Sequence, residues 1–90
     1  MPIKIESVKP LSDMMMLVSF NNGEVRLFDA TCLKGEVFSP LKEESVFRNC
    51  VIEYGVPTWC DGAVDCAPEY IYEHSFEYLT DIYAVDTTIA

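Results

Sequence analysis

The sequence predicts an α+β fold, a β-hairpin or meander packed with two short helices. Three observations predict it. Apolar and polar residues alternate at Ile3-Lys4-Ile5-Glu6, as in a half-buried strand. Asn22-Gly23 separates two apolar stretches, the sequence signal of a hairpin. Pro40 and Pro68 each stand where a helix would begin. With 90 residues and 10.2 kDa there is room for one small core. The expected organisation is one domain over residues 1–79 and a C-terminal tail over 80–90, either an edge strand or frayed. Half the residues are hydrophobic and mean hydropathy is +0.13, which argues against wholesale disorder.

The elements follow in order. Ile3 to Glu6 is the first strand, and Pro10-Leu11-Ser12-Asp13 ends it. Met14 to Phe20 is the second. A two-residue type I′ turn at Asn22-Gly23 would set Phe20 against Val25 and Val18 against Leu27 on one face. Leu17 would face Phe28, and Ser19 would face Arg26, on the other. Ala30 to Ser39 is irregular, with Gly35 as a breaker. Ser39-Pro40 reads as an N-cap and first helical residue, opening a helix of about 41–48. Cys50 to Tyr54 is a further strand, turned by Gly55-Val56-Pro57, and Thr58 to Cys60 pairs back. Asp61-Gly62 marks another turn. Pro68 opens a helix of about 68–79, with Tyr72, Phe76 and Leu79 as its apolar stripe. Asp65 is placed to cap that helix.

Charge is unevenly placed. The chain carries a net −9. Residues 1–52 hold all six Lys and Arg against seven acids, whereas 53–90 hold eight acids and no base. A half at −8 repels phosphate, so direct nucleic-acid binding is not expected. The same field would draw in a small basic protein partner, or merely keep the chain soluble. The longest apolar run, Met14 to Val18, has five residues, too few to cross a membrane. The first residues lack a secretory pattern, so the expected compartment is the cytoplasm. There the four cysteines stay reduced. They lack Cys-x-x-Cys spacing, so they are expected as buried or half-buried thiols and not as metal ligands.

Catalytic signatures are scarce. Asp61, Asp65 and Glu69 recur every four residues around a turn, which suggests a divalent-cation or acid–base site, a small metal- or ligand-binding enzyme. Capping and turn formation explain the same residues more simply. His74, the only histidine, sits among Glu73 and Glu77 without a nucleophile signature and is expected to be solvated. No cofactor-binding or phosphate loop is present in the sequence. The remaining anomaly is aromatic. Tyr70, Tyr72, Phe76, Tyr78 and Tyr83 crowd residues 70–83, with Trp59 just before them. Tyrosine and tryptophan beside charge are typical of protein interfaces.

A resemblance adds to this. Phe28-Asp29, Gly35-x-Val37-Phe38-x-Pro40-Leu41, Phe47 and Trp59-x-x-Gly62-x-x-Asp65-x-x-Pro68-Glu69-x-x-Tyr72 resemble a small bacterial domain of unknown function, family 2442. The hairpin at Asn22-Gly23-Glu24 also resembles that family's early segment. The likeness spans about residues 3–73. It implies a curled antiparallel sheet packed with short helices. It also implies a toxin–antitoxin or regulatory association with another small protein, because members are often encoded beside one. Some members carry a helix-turn-helix, which this sequence lacks. The family has no established catalytic residues to carry over, and structural roles explain the residues that match its motif: Trp59 as a core plug, Asp65 and Pro68 as the helix start.

The sequence therefore points to a cytoplasmic, non-enzymatic interaction or regulatory protein, antitoxin-like in its pairing. Trp59, Asp65, Tyr70, Glu73, Glu77 and Tyr78 are the candidate interaction face. A homo-oligomer joined through the tail, around Ile82 to Val85, is a further alternative.

Overall fold

The computed structural model describes residues 2–77. The architecture is α+β, as the alternation predicts, and its strands divide between two antiparallel sheets. The first sheet holds β1 (Ile5–Pro10), β2 (Met15–Phe20), β3 (Val25–Asp29) and β7 (Phe76–Glu77), in the order β1-β2-β3-β7. The second holds β4 (Val51–Glu53), β5 (Val56–Trp59) and β6 (Val64–Asp65), in that order. Between the sheets in sequence lie a 3₁₀ turn at Ala30–Cys32, a 3₁₀ helix at Glu36–Lys42 and α1 (Glu44–Phe47). α2 (Pro68–Glu73) precedes β7. The Ile5 amide donates to the Gly55 carbonyl at 2.9 Å, joining the edge of the first sheet to the β4–β5 turn.

Alternation along β2 decides which way the first sheet faces. Met16, Val18 and Phe20 are buried, while their neighbours are half-buried. Together with Ile5, Phe28, Leu41, Phe47, Trp59 and Ile71 they form the core. Phe47 stacks on Trp59 with centroids 6.2 Å apart, and Phe20 meets the edge of Tyr72 at 5.1 Å. Such pairs add to the burial that holds a small core together.

The hairpin register differs by one residue from the two-residue turn. The loop is Asn21-Asn22-Gly23, closed by the Gly23 amide on the Phe20 carbonyl at 3.0 Å. Only Gly23 takes positive φ, at 91°. Asn22 instead uses its side chain, accepting from the Glu24 amide at 3.0 Å and donating to Glu24 Oε2 at 2.8 Å. Asn21 ties down the N-terminal strand, accepting from the Lys4 amide at 3.1 Å. The result pairs Leu17 with Leu27, Ser19 with Val25, and Val18 with Arg26. A one-residue slip exchanges faces. It brings Arg26 to the core side and leaves Leu27 on the other.

Consecutive residues with positive φ occur at other connections. Between β1 and β2, in the turn closed by the Met15 amide on the Ser12 carbonyl at 3.2 Å, Asp13 and Met14 have φ of 60° and 59°. Tyr54-Gly55 joins β4 to β5 with φ of 54° and 82°. A Cβ on Gly55 would sit 2.7 Å from Lys4 Cβ, so position 55 requires glycine on both counts.

The helices are shorter than periodicity predicts. The stretch of 41–48 is divided, with Pro40 inside the 3₁₀ helix and α1 starting only at Glu44. Ser39 is therefore not an N-cap. α2 ends at Glu73 and not near residue 79, because Arg26 captures the chain just beyond it. Arg26 Nη2 donates to the Ser75 carbonyl at 2.9 Å, and Nε donates to Ser75 Oγ at 2.7 Å. Residues 76 and 77 then pair with β3. Phe76 consequently leaves the helical stripe and is 65% exposed. The expectation for Leu79 and for the tail at 80–90 lies outside the described residues. Ala67 occupies the N-cap of α2 without a side-chain bond, so Asp65 does not cap it; Asp65 is an exposed residue of β6. Among the described residues, no helix is long and apolar enough to cross a membrane.

Candidate functional site

Six acids lie between positions 53 and 77, and all six are exposed: Glu53, Asp61, Asp65, Glu69, Glu73 and Glu77. The two ion pairs among the described residues, Arg26–Glu24 and Arg48–Glu44, use none of them. The carboxylates of this stretch thus meet solvent without a described counter-charge. Glu69 and Glu73 lie on α2, and Glu77 on β7.

The predicted face divides. Asp65, Glu73 and Glu77 are exposed, and Tyr70 is 37% exposed. Trp59 is not part of any surface patch, being 1% exposed. Its indole Nε1 donates to the Phe47 carbonyl at 2.9 Å, so both its ring and its polar handle are consumed by the core. Tyr78 lies outside the described residues. His74 is exposed and stacked on Tyr70, with centroids 4.0 Å apart and Nδ1 2.9 Å from the Tyr70 carbonyl. Asp61, Asp65 and Glu69 are not brought together. Among the described residues, no group of three or more His, Cys, Asp or Glu is placed to hold a metal ion.

Two grooves flank this acidic stretch. The larger, about 500 Å³, is lined by Val46 and Asn49 beside α1, Val51 and Glu53 of β4, Thr58 and Trp59 of β5, and Cys60 to Gly62. Its lip at Cys60-Asp61-Gly62 is a left-handed turn, with φ of 56°, 55° and 91°. The amides of Gly62 and Ala63 donate to the carbonyls of Trp59 and Cys60 at 3.1 and 3.0 Å. Non-glycine residues rarely adopt this conformation, and Asp tolerates it better than most. The Glu53 carboxylate lies against this lip: a Cβ on Gly62 would be 3.8 Å from Glu53 Oε1. Sequence reasoning missed Glu53 and Val46, because the groove forms only when β4 and α1 are packed. The Asp61-Gly62 turn signal was its one visible part.

The smaller groove, about 380 Å³, lies beside Tyr70 and is lined by Cys32, Leu33, Lys34, Phe38, Asp65, Cys66 and Ala67. Burial, then the neighbouring Cys32, pushes the Tyr70 hydroxyl above the usual tyrosine range. The four thiols are free. Burial pushes Cys50 and Cys66 up to about 11, which keeps them protonated and unreactive. Cys60 departs from the buried or half-buried expectation and is exposed.

These features define a small α+β domain with an acidic surface and open grooves. The chain belongs to the family described as protein of unknown function DUF2442, whose profile matches residues 5–77. The match runs past His74 to the second residue of β7, beyond the stretch that carries the sequence resemblance. No curated protein and no solved structure matches the chain.

Proposed function

We propose that the chain is a non-enzymatic protein–protein interaction module of the bacterial cytoplasm. It pairs with a small basic protein in a regulatory, antitoxin-like manner. One observation carries this reading: every described acid from Glu53 to Glu77 is exposed and outside the described ion pairs. Such a surface speeds encounter with a positive partner and disfavours nucleic acid. Tyr70, partly exposed beside Asp65 and Glu73, supplies an aromatic contact of the kind enriched at interfaces.

The test is capture by the tagged chain from its native host at low salt, with mass spectrometry and light scattering on the eluate. A stoichiometric small basic protein, released at high salt, is the expected outcome. A chain that elutes alone overturns the proposal. Reversing Glu73 and Glu77 to lysine should weaken capture and its salt dependence. Each reversal should cost about 1 kcal/mol or less, because both acids are exposed.

A further inference from the structure

The larger groove is chemically biased in a way the acidic surface alone is not. The side-chain donors of Thr58, Trp59 and Asn49 already have partners inside the fold. Thr58 Oγ1 donates to the Val51 carbonyl at 3.0 Å, and the Trp59 indole donates to Phe47 at 2.9 Å. The Asn49 amide donates to the Ser45 carbonyl at 2.9 Å. The charged residues that line the groove are Glu53 and Asp61, both acidic. Neither joins a described ion pair, and no lysine or arginine lines the groove. Val46 and Val51 supply apolar wall.

We propose that this groove receives an arginine side chain presented by a basic protein partner. The assignment rests on the reading of the chain as a docking module and names where the partner is gripped. Charge complementarity selects a cation. The apolar wall selects a long aliphatic stem that can lie along it while its charged head stays at the lip. A guanidinium is less strongly hydrated than an ammonium and can donate to two carboxylates at once through its planar fork. The volume, about 500 Å³, falls within the range of clefts that hold small ligands, about 300–1,000 Å³. Phosphate-bearing partners are repelled by the same pair of charges.

The experiment is a titration of the ¹⁵N-labelled full chain with acetyl-Gly-Arg-Gly-amide, and in parallel with its lysine counterpart. Amide shifts are expected at Val51, Glu53, Cys60, Asp61 and Gly62, with the arginine peptide bound more tightly. Glu53→Gln and Asp61→Asn should each weaken binding roughly two- to five-fold. Glu69→Gln, outside the groove, should leave binding unchanged. Asparagine tolerates left-handed backbone, so Asp61→Asn preserves the turn, and unchanged circular dichroism checks the fold. Shifts confined to other surfaces, or equal affinity for the lysine peptide, would overturn the assignment. Equal capture of a basic protein by the native chain and the Glu53→Gln, Asp61→Asn double variant removes the groove and leaves the docking module. Failure to capture any basic protein removes the docking module itself.

Discussion

The Arg26 guanidinium lies over the ring of Tyr72, 4.6 Å from its centroid, and so ties the first sheet to α2. The same guanidinium donates to Glu24 Oε1 at 3.0 Å and to both oxygens of Ser75. The Tyr72 hydroxyl in turn donates to Glu24. Residues 24, 26, 72 and 75 thus close one network at the seam where β7 joins β3. The side chain of Arg26 is 17% exposed, so these bonds are made with limited competition from water.

Replacing Arg26 should therefore cost more than a surface arginine usually does. Arg26→Met keeps the stem but removes the guanidinium donors to Ser75 and one of the three side-chain donors to Glu24. The expected loss is about 2 kcal/mol, from charge-assisted hydrogen bonds and the ring contact. Arg26→Lys should recover little, because a single ammonium cannot serve Ser75, Glu24 and the ring together. Urea unfolding reads both. A midpoint unchanged in Arg26→Met would show that the network holds nothing.

The network also sets an acid limb. The Tyr72 hydroxyl first, then Arg26 and Asn22, holds the Glu24 carboxyl below its ordinary range, against the opposing effect of burial. A lowered carboxylate contributes stability above the unfolded pKa and loses it as pH falls through the folded one. The difference in stability between the native chain and Glu24→Gln should be largest near neutral pH. It should shrink as pH falls through the carboxylate range and vanish once Glu24 is protonated. Asp29, lowered by its bonds from the Thr31 hydroxyl and amide, should leave residual acid sensitivity in the variant. Parallel pH–stability curves would refute the role given to Glu24.

The β4–β5 turn makes a different kind of prediction. Tyr54 is 97% exposed yet held at φ 54°, so its ring gains nothing in packing for the strain. Tyr54→Asn should stabilise the chain by about 1 kcal/mol, raising Tm by about 4–8 °C. Gly55→Ala should lower Tm, since the added methyl collides with Lys4. Calorimetry of the two variants checks both signs, and a destabilised Tyr54→Asn would mean that the ring makes a contact that stabilises the fold.

The turns show how far the sequence can be read. Turn signals located the hairpins, but the two-residue register set Phe28 on the face opposite Val18 and Phe20, whereas it pairs with Met16 and joins Met16, Val18 and Phe20 in the core. The Asn22-Gly23 pair marked the hairpin but not its register, because Asn22 spent its side chain on Glu24 and did not turn left-handed. Left-handed turn positions elsewhere carry Met14 and Tyr54, residues with no turn propensity. Tyr72 and Phe76 have helical spacing, but the tertiary hold of Arg26 on Ser75 stops α2 between them. Of the candidate face, charge was legible, while Trp59 read equally as a core plug and as a surface aromatic, and only packing decides between them. Nothing local distinguishes Trp59, whose indole is captured by Phe47, from an exposed aromatic.

Trp59 makes that burial testable. Trp59→Phe removes the donor to the Phe47 carbonyl and leaves space beside the stacked ring of Phe47. An unpaired buried acceptor and a cavity together should cost about 2–4 kcal/mol. The native chain, with one tryptophan, should emit at short wavelength and shift red on unfolding in urea. Emission already at the water-exposed position in the folded chain would contradict the burial.

The thiols give a test that separates exposure from sequence. Cys60 stands on the lip of the larger groove, whereas Cys50 and Cys66 are pushed up to about 11 by burial. At pH 8 a thiol of that pKa is ionised to about one part in a thousand, and the thiolate is the species that reacts. Iodoacetamide should therefore modify Cys60 well before Cys50 or Cys66, as peptide mass spectrometry of timed samples will show. Denaturant should abolish the difference, because it arises from packing. Bound acetyl-Gly-Arg-Gly-amide should slow the reaction at Cys60 alone, since only that thiol borders the Glu53 and Asp61 carboxylates. Early modification of Cys50 or Cys66 in the folded chain would refute their burial. An unprotected Cys60 in the presence of saturating peptide would place the arginine elsewhere.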